Sequence, residues 1–179
     1  VVQSYKLKDV NAFQLFNLEQ KYFIDLQVLE TEYKNVQKLL HPDKFVSKSN
    51  DEREASNETS STVNQAYQIL KSPLARAEYM LKLQFGVEVF EEGKTLSAVE
   101  NNALMMEVFQ IREQISETEE STDLVRLHCN VEEDIVQIER AFETSLSSGN
   151  VERAQLYAVR LKYYNKILEE IDQKLPSAH

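Results

Sequence analysis

Three consecutive residues, His41-Pro42-Asp43, bring an imidazole and a carboxylate to either side of a rigid ring. Two kinds of chemistry suit that pairing. One is proton transfer, with His41 and Asp43 as a general acid–base pair. An enzyme of that type needs a mutually oriented set of groups. No nucleophile motif and no glycine-rich phosphate loop accompanies the pair, so an enzyme is not expected. The other is recognition. Pro42 lacks an amide donor and restricts the residue before it, so His41 and Asp43 project from a stiff corner. The bland alternative is His41 as a helix C-cap interacting with the dipole. For a lone histidine that alternative is favoured.

The elements that must hold the corner favour recognition. Leu26, Leu29, Tyr33, Val36 and Leu40 recur at steps of three and four, the stripe of a buried helix face. Asp25 stands where an N-cap is needed. Lys34, Lys38 and His41 fall together roughly 130° from the centre of that stripe, so a basic strip leads along solvent to Pro42. Lysines of this kind steer an acidic partner, and Asp43 can lock onto an arginine within it. A polar loop to about residue 50 and a capping box, Ser49-x-x-Glu52, precede the next helix. That helix is expected to bury Ala55, Thr59, Thr62, Val63, Ala66 and Leu70. Ser72 and Pro73 stop it and start another, with Leu74, Ala77, Met80, Leu81 and Leu83 inward. Phe13, Leu15, Phe16 and Leu18 make an apolar opening to this first unit.

Gly86 and Gly93 mark a connection over 86–96, and Ser97-x-x-Glu100 is a second capping box. Three helices are predicted beyond it, over 98–118, 122–147 and 151–175, with Gly149-Asn150 turning the chain between the last two. They form an antiparallel three-helix bundle. In the first of them Leu104, Val108, Ile111 and Ile115 suffice for a core stripe. Met105, Met106 and Phe109 lie roughly 90–190° away, and Glu113 and Glu117 continue that second face. Such a helix is either sandwiched in its bundle or holds one side for a partner. Composition leaves both open.

Three Pro, three Gly and an abundance of Leu, Glu, Gln, Lys and Ala predict an all-α protein. The net charge of −10 argues against nucleic acid or an anionic membrane as partner. The acidity is uneven: residues 100–147 hold twelve acids against Arg112, Arg126 and Arg140. Cys129 is the single cysteine, so neither an internal disulfide nor a cysteine zinc cluster is expected, and a reducing compartment fits. Cys129 and His128 are adjacent, not at a ligand spacing, and Cys129 reads as a small partly buried residue. No run approaches the roughly 18 apolar residues of a membrane span. The chain starts at Val1, so a removed or omitted leading segment is expected.

A basic helix, His-Pro-Asp, a polar loop and a helix closing on Asn64-Gln65-Ala66-Tyr67-Gln68-Ile69-Leu70 together resemble a J-domain. Other stretches narrow the resemblance to the HscB family, J-protein co-chaperones of iron–sulfur cluster biogenesis. They are Leu15-Phe16, His41-Pro42-Asp43-Lys44-Phe45, Ser72-Pro73-Leu74-Ala75-Arg76-Ala77-Glu78-Tyr79-Met80-Leu81, Met105-Met106-Glu107 and Leu161-Lys162-Tyr163. The resemblance runs from about residue 11 to 175. It implies a J-domain over 11–85, a linker over 86–97 and a three-helix scaffold-binding domain over 98–175. It implies that Lys34, Lys38, His41, Pro42 and Asp43 engage a DnaK-type chaperone, whose ATPase the J-domain switches on. It implies that Met105, Met106, Phe109, Gln110, Glu113, Glu117 and Tyr163 bind the IscU-type scaffold on which clusters are built. The family usually has a smaller aliphatic where Phe109 stands and often an acid at Gln110. Some eukaryotic members carry a zinc-binding cysteine tetrad; this chain has none, so no metal or cofactor is implied. The compartment implied is the mitochondrial matrix in a eukaryote and the cytoplasm in a bacterium. The alternative is a general J-protein whose bundle binds another client or dimerises.

Overall fold

The computed structural model describes residues 10–40, 50–89 and 97–175, with residues 50–56 and 98 described by backbone alone. His41, Pro42, Asp43, the Ser49-x-x-Glu52 box, the Ala55 side chain and Gly93 therefore lie outside the described residues. The described residues form seven helices: α1 (Ala12–Leu15), α2 (Leu26–Leu40), α3 (Asn50–Lys71), α4 (Pro73–Phe85), α5 (Ala98–Glu117), α6 (Ser121–Ser147) and α7 (Val151–Lys174). The all-α expectation holds. Among the described residues no helix is long and apolar enough to cross a membrane.

The chain divides into two compact units, Val1–Tyr79 and Met80–His179. The division falls inside α4. The first half of α4 is fastened to the first unit. Arg76 is buried, donates from Nη1 to the Leu70 carbonyl at the end of α3, and sits 5.1 Å over the Tyr22 ring. The Tyr79 hydroxyl accepts from the Ala12 amide at 2.9 Å, and its ring packs on Phe13. That bond satisfies one of the amides a helix start leaves without an internal partner. Arg76 and Tyr79 thus tie α4 to the end of α3 and the start of α1.

In the first unit α1 is only four residues long and is closed at both ends by local hydrogen bonds. Asn11 and Gln14 form a capping box, and Asn17, at φ +52°, closes the C-terminus with Leu18 bonding back to the Phe13 carbonyl. The short helix sets Phe13 and Phe16 fully inside. Asp25 caps α2 as expected, accepting from the Gln27 and Val28 amides at 2.8 and 3.2 Å. The Ser72 hydroxyl accepts from the Ala75 amide to cap α4.

Three expected core positions are exposed instead. Leu26 stands in the first turn of α2, roughly 60° off the line of Leu29, and reaches solvent. Thr62 lies beside the stripe of Val63, Ala66 and Leu70, and its hydroxyl bonds the Glu58 carbonyl of its own helix. Leu83, roughly 60° around α4 from Met80, lies past the edge of the stripe of Ala77, Met80 and Leu81 and is exposed.

The second unit is built on α7, which packs against both α5 and α6. Its buried line is Ala154, Ala158, Leu161, Tyr164, Ile167 and Ile171; α6 contributes Leu124, Val131, Ile138, Phe142 and Leu146. The turn between α6 and α7 has one geometry open to it. Gly149 takes φ +71°, its amide bonds the Leu146 carbonyl, and the Asn150 amide bonds Ser145. That is a Schellman closure, and Asn150 then caps α7 through the Arg153 amide. Cys129 is exposed rather than partly buried, because it lies beyond the edge of the α6 stripe.

Candidate recognition surfaces

The first surface lies along α2. Two residues of the Asn64–Leu70 run hold α2 against α3. Asn64 Oδ1 accepts from the Tyr33 hydroxyl at 2.8 Å and from Gln37 Nε2 at 2.6 Å. The Tyr67 ring stacks on Tyr33 at 4.1 Å and 18°. The Phe16 ring meets Tyr33 edge-on, 6.4 Å between centroids. These contacts fix the roll of α2 about its axis, which decides where its outer side chains point. Lys34 and Lys38 are both exposed, as their spacing requires. Lys34 reaches back to Glu30 at 2.6 Å. Its hydrogen bond and then its charge hold the Glu30 carboxyl below the usual range. The pair is fully in water, so a partner's carboxylate can compete for Lys34 at little cost.

The second surface is the outer side of α5. Ser97 and Glu100 cap its start reciprocally. Leu104, Val108 and Ile115 are buried on the inner side. Two ion pairs with α7 clamp the flanks. Arg160 embraces the Glu107 carboxylate, at 2.6 Å for its shorter contact, with the Tyr164 hydroxyl 3.4 Å from the same oxygen. Arg112 grips Glu170 with two bonds of 2.9 and 2.7 Å. Lys174 donates to the Ile115 and Ser116 carbonyls near the C-terminus of α5. These contacts and the buried inner stripe seat α5 with its second apolar face outward. Met106 and Phe109 are 65% and 67% exposed. Burying a side chain of this size is worth about 1.5–3 kcal/mol, and the free chain leaves that unrealised. The sandwiched alternative is therefore set aside: one side of α5 is core and the opposite side is open.

Five of the expected residues, Met105, Met106, Phe109, Gln110 and Glu113, line one open groove of about 570 Å³ together with Asn102. Glu117 is exposed one turn further on, and Tyr163 is half-buried on α7; neither lines the groove. Tyr163 lies close enough to Arg112 to raise the guanidinium pKa, after the larger effect of the Glu170 bond. Two residues of this face escape the sequence reading. Asn102 lines the groove, and Val99 is exposed at the start of α5. Val99 precedes Met106 by seven residues, a spacing that returns to the same side of a helix. That spacing was the signal available.

The described residues thus offer two candidate recognition surfaces, a helical hairpin with exposed Lys34 and Lys38 and a bundle with one open apolar face. Known proteins agree in kind. The HSCB C-terminal oligomerisation domain matches residues 100–172. The iron–sulfur cluster co-chaperone protein HscB homolog of Arabidopsis thaliana is 39% identical over 166 residues, 93% of this chain and 64% of that protein. The co-chaperone protein HscB homolog of Colwellia psychrerythraea is 32% identical over 171 residues, covering 92% of this chain and 95% of its own length. The crystal structure of human co-chaperone protein HscB superposes with a TM-score of 0.82 at 26% identity, over 93% of this chain and 82% of that one. The chain belongs to the HscB co-chaperone family.

Proposed function

We propose that this protein is a J-domain co-chaperone of iron–sulfur cluster assembly, which binds an IscU-type scaffold on α5 and presents it to a DnaK-type chaperone. The hairpin of α2 and α3 aims Lys34 and Lys38 at the chaperone, and His41-Pro42-Asp43 completes the contact and stimulates ATP hydrolysis. The protein performs no chemistry of its own; the hydrolysis and its nucleotide belong to the chaperone. Two sites on one chain raise the effective concentration of scaffold at the chaperone. Methionine side chains adapt to a partner's contour, Phe109 anchors, and Glu113 and Glu117 set orientation and on-rate. Its place of work is the mitochondrial matrix in a eukaryote and the cytoplasm in a bacterium.

The observation that carries the reading is the open face of α5, with Met106 and Phe109 exposed on a helix whose other side is core. Two variants test it. Changing His41, Pro42 and Asp43 to alanine is expected to abolish stimulation of the chaperone ATPase and leave scaffold binding intact. Changing Met105, Met106, Phe109 and Tyr163 to alanine is expected to weaken scaffold binding with helicity retained. Survival of stimulation in the first variant overturns the J-domain assignment. A parent protein that binds no scaffold points instead to a general J-protein with another client.

A further inference from the structure

We propose that His128, Cys129 and Glu132 of α6 form a surface site for a thiophilic divalent cation such as Zn²⁺, with Asp172 of α7 orienting the imidazole. Adjacent residues on a helix diverge by about 100°, but Glu132 stands four residues after His128 and three after Cys129, the two spacings that make neighbours on a helix surface, and so lies between them. One donor atom from each of the three lies within 4.8 Å of the others. Bonds of about 2.0–2.3 Å to nitrogen, oxygen and sulfur set tetrahedral donors about 3.3–3.8 Å apart, on the order of 1 Å closer than that limit. Cys129 and Glu132 are exposed, so side-chain rotation closes the difference.

The histidine supplies an independent argument. Its Nε2 is 3.1 Å from Asp172 Oδ1, and its Nδ1 is 3.3 Å from Glu132 Oε2. A neutral imidazole has one N–H and one lone pair. Of the two ring nitrogens one can donate to its carboxylate, and the other offers a lone pair beside a carboxylate oxygen, a position that a cation can fill. Asp172 holds the position of the carboxylate that fixes the tautomer of a metal-binding histidine. That leaves Nδ1, the Glu132 oxygen and the Cys129 sulfur for the ion.

The donor set decides the class of ion. Thiolate with imidazole selects Zn²⁺ over Mg²⁺ or Ca²⁺, which take oxygen donors. Binding releases the thiol proton to solvent. Three protein donors leave one tetrahedral position for water or an incoming ligand. The acidity of residues 100–147 favours cations near this surface.

The test uses the full chain, reduced and stripped with chelator, then titrated with Co²⁺ as a spectroscopic probe and with Zn²⁺ in competition. The expected result is one equivalent of Co²⁺ with a thiolate-to-metal absorption band that Zn²⁺ removes. Cys129→Ser is expected to lose the band, and His128→Ala to weaken Zn²⁺ binding at least tenfold. Asp172→Asn, a change behind the ligand, is expected to weaken it about 10–100-fold. Cys129 and Asp172 are exposed and His128 is only part-buried, so circular dichroism should match the parent. Co²⁺ binding without the band, or Zn²⁺ affinity unchanged in Cys129→Ser and His128→Ala, overturns the proposal.

Discussion

The two units hold their recognition surfaces in place by different physics. In the first, α2 buries only Leu29 outright among its described residues, and its orientation depends on Tyr33, Asn64 and Tyr67. In the second, α5 lies on a continuous apolar seam and is flanked by two-bond arginine–carboxylate pairs. The first unit offers charge on a hairpin fastened by polar and aromatic contacts. The second offers exposed apolar area on a helix fixed by its core. A charged surface governs encounter, whereas a buried apolar anchor governs dwell time. The difference teaches that one chain can pair a charged surface suited to encounter with an apolar surface suited to retention.

The comparison breaks most visibly within α5, where Leu104 and Phe109 point opposite ways. Leu104→Ala is expected to destabilise the second unit by about 2–5 kcal/mol, read by thermal or urea unfolding. Phe109→Ala is expected to leave stability within about 0.5 kcal/mol. Equal losses in the two variants would mean that α5 has no free face. A smaller effect sharpens the account of the first unit. Asn64→Ala removes the acceptor shared by Tyr33 and Gln37, and is expected to cost about 1 kcal/mol. No change in the unfolding midpoint would leave the hairpin's orientation to packing alone. The smallest effect concerns encounter. Lys34→Ala with Lys38→Ala should slow association with the chaperone several-fold at low salt and little at high salt, by stopped-flow. An effect independent of salt would remove the steering role.

Much of the fold was legible because the second unit is regular. Ser97-x-x-Glu100, Gly149-Asn150 and the Leu104 stripe each have one reading, and the three long helices begin and end within about a residue of expectation. The first unit was less legible because its order comes from contacts between residues far apart in sequence. Nothing local marks Tyr79 as the partner of the Ala12 amide, or Arg76 as the partner of the Leu70 carbonyl. Leu26 and Leu83 were misplaced because spacing assigns a face but not how far the neighbouring element extends over it. On α5 the second apolar face was visible at once. Its openness was not, since that depends on Arg160 and Glu170, more than forty residues away. Cys129 was misjudged for the same reason: a small residue gives no clue to its side until the stripe around it is fixed.

The seating of α5 on α7, with all of α6 between them in sequence, has a consequence for biosynthesis. At about 5–20 residues per second, α5 leaves the ribosome several seconds before α7 is complete. Through that interval both of its greasy sides are bare, and the nascent polypeptide is itself the kind of chain that a holdase would seize.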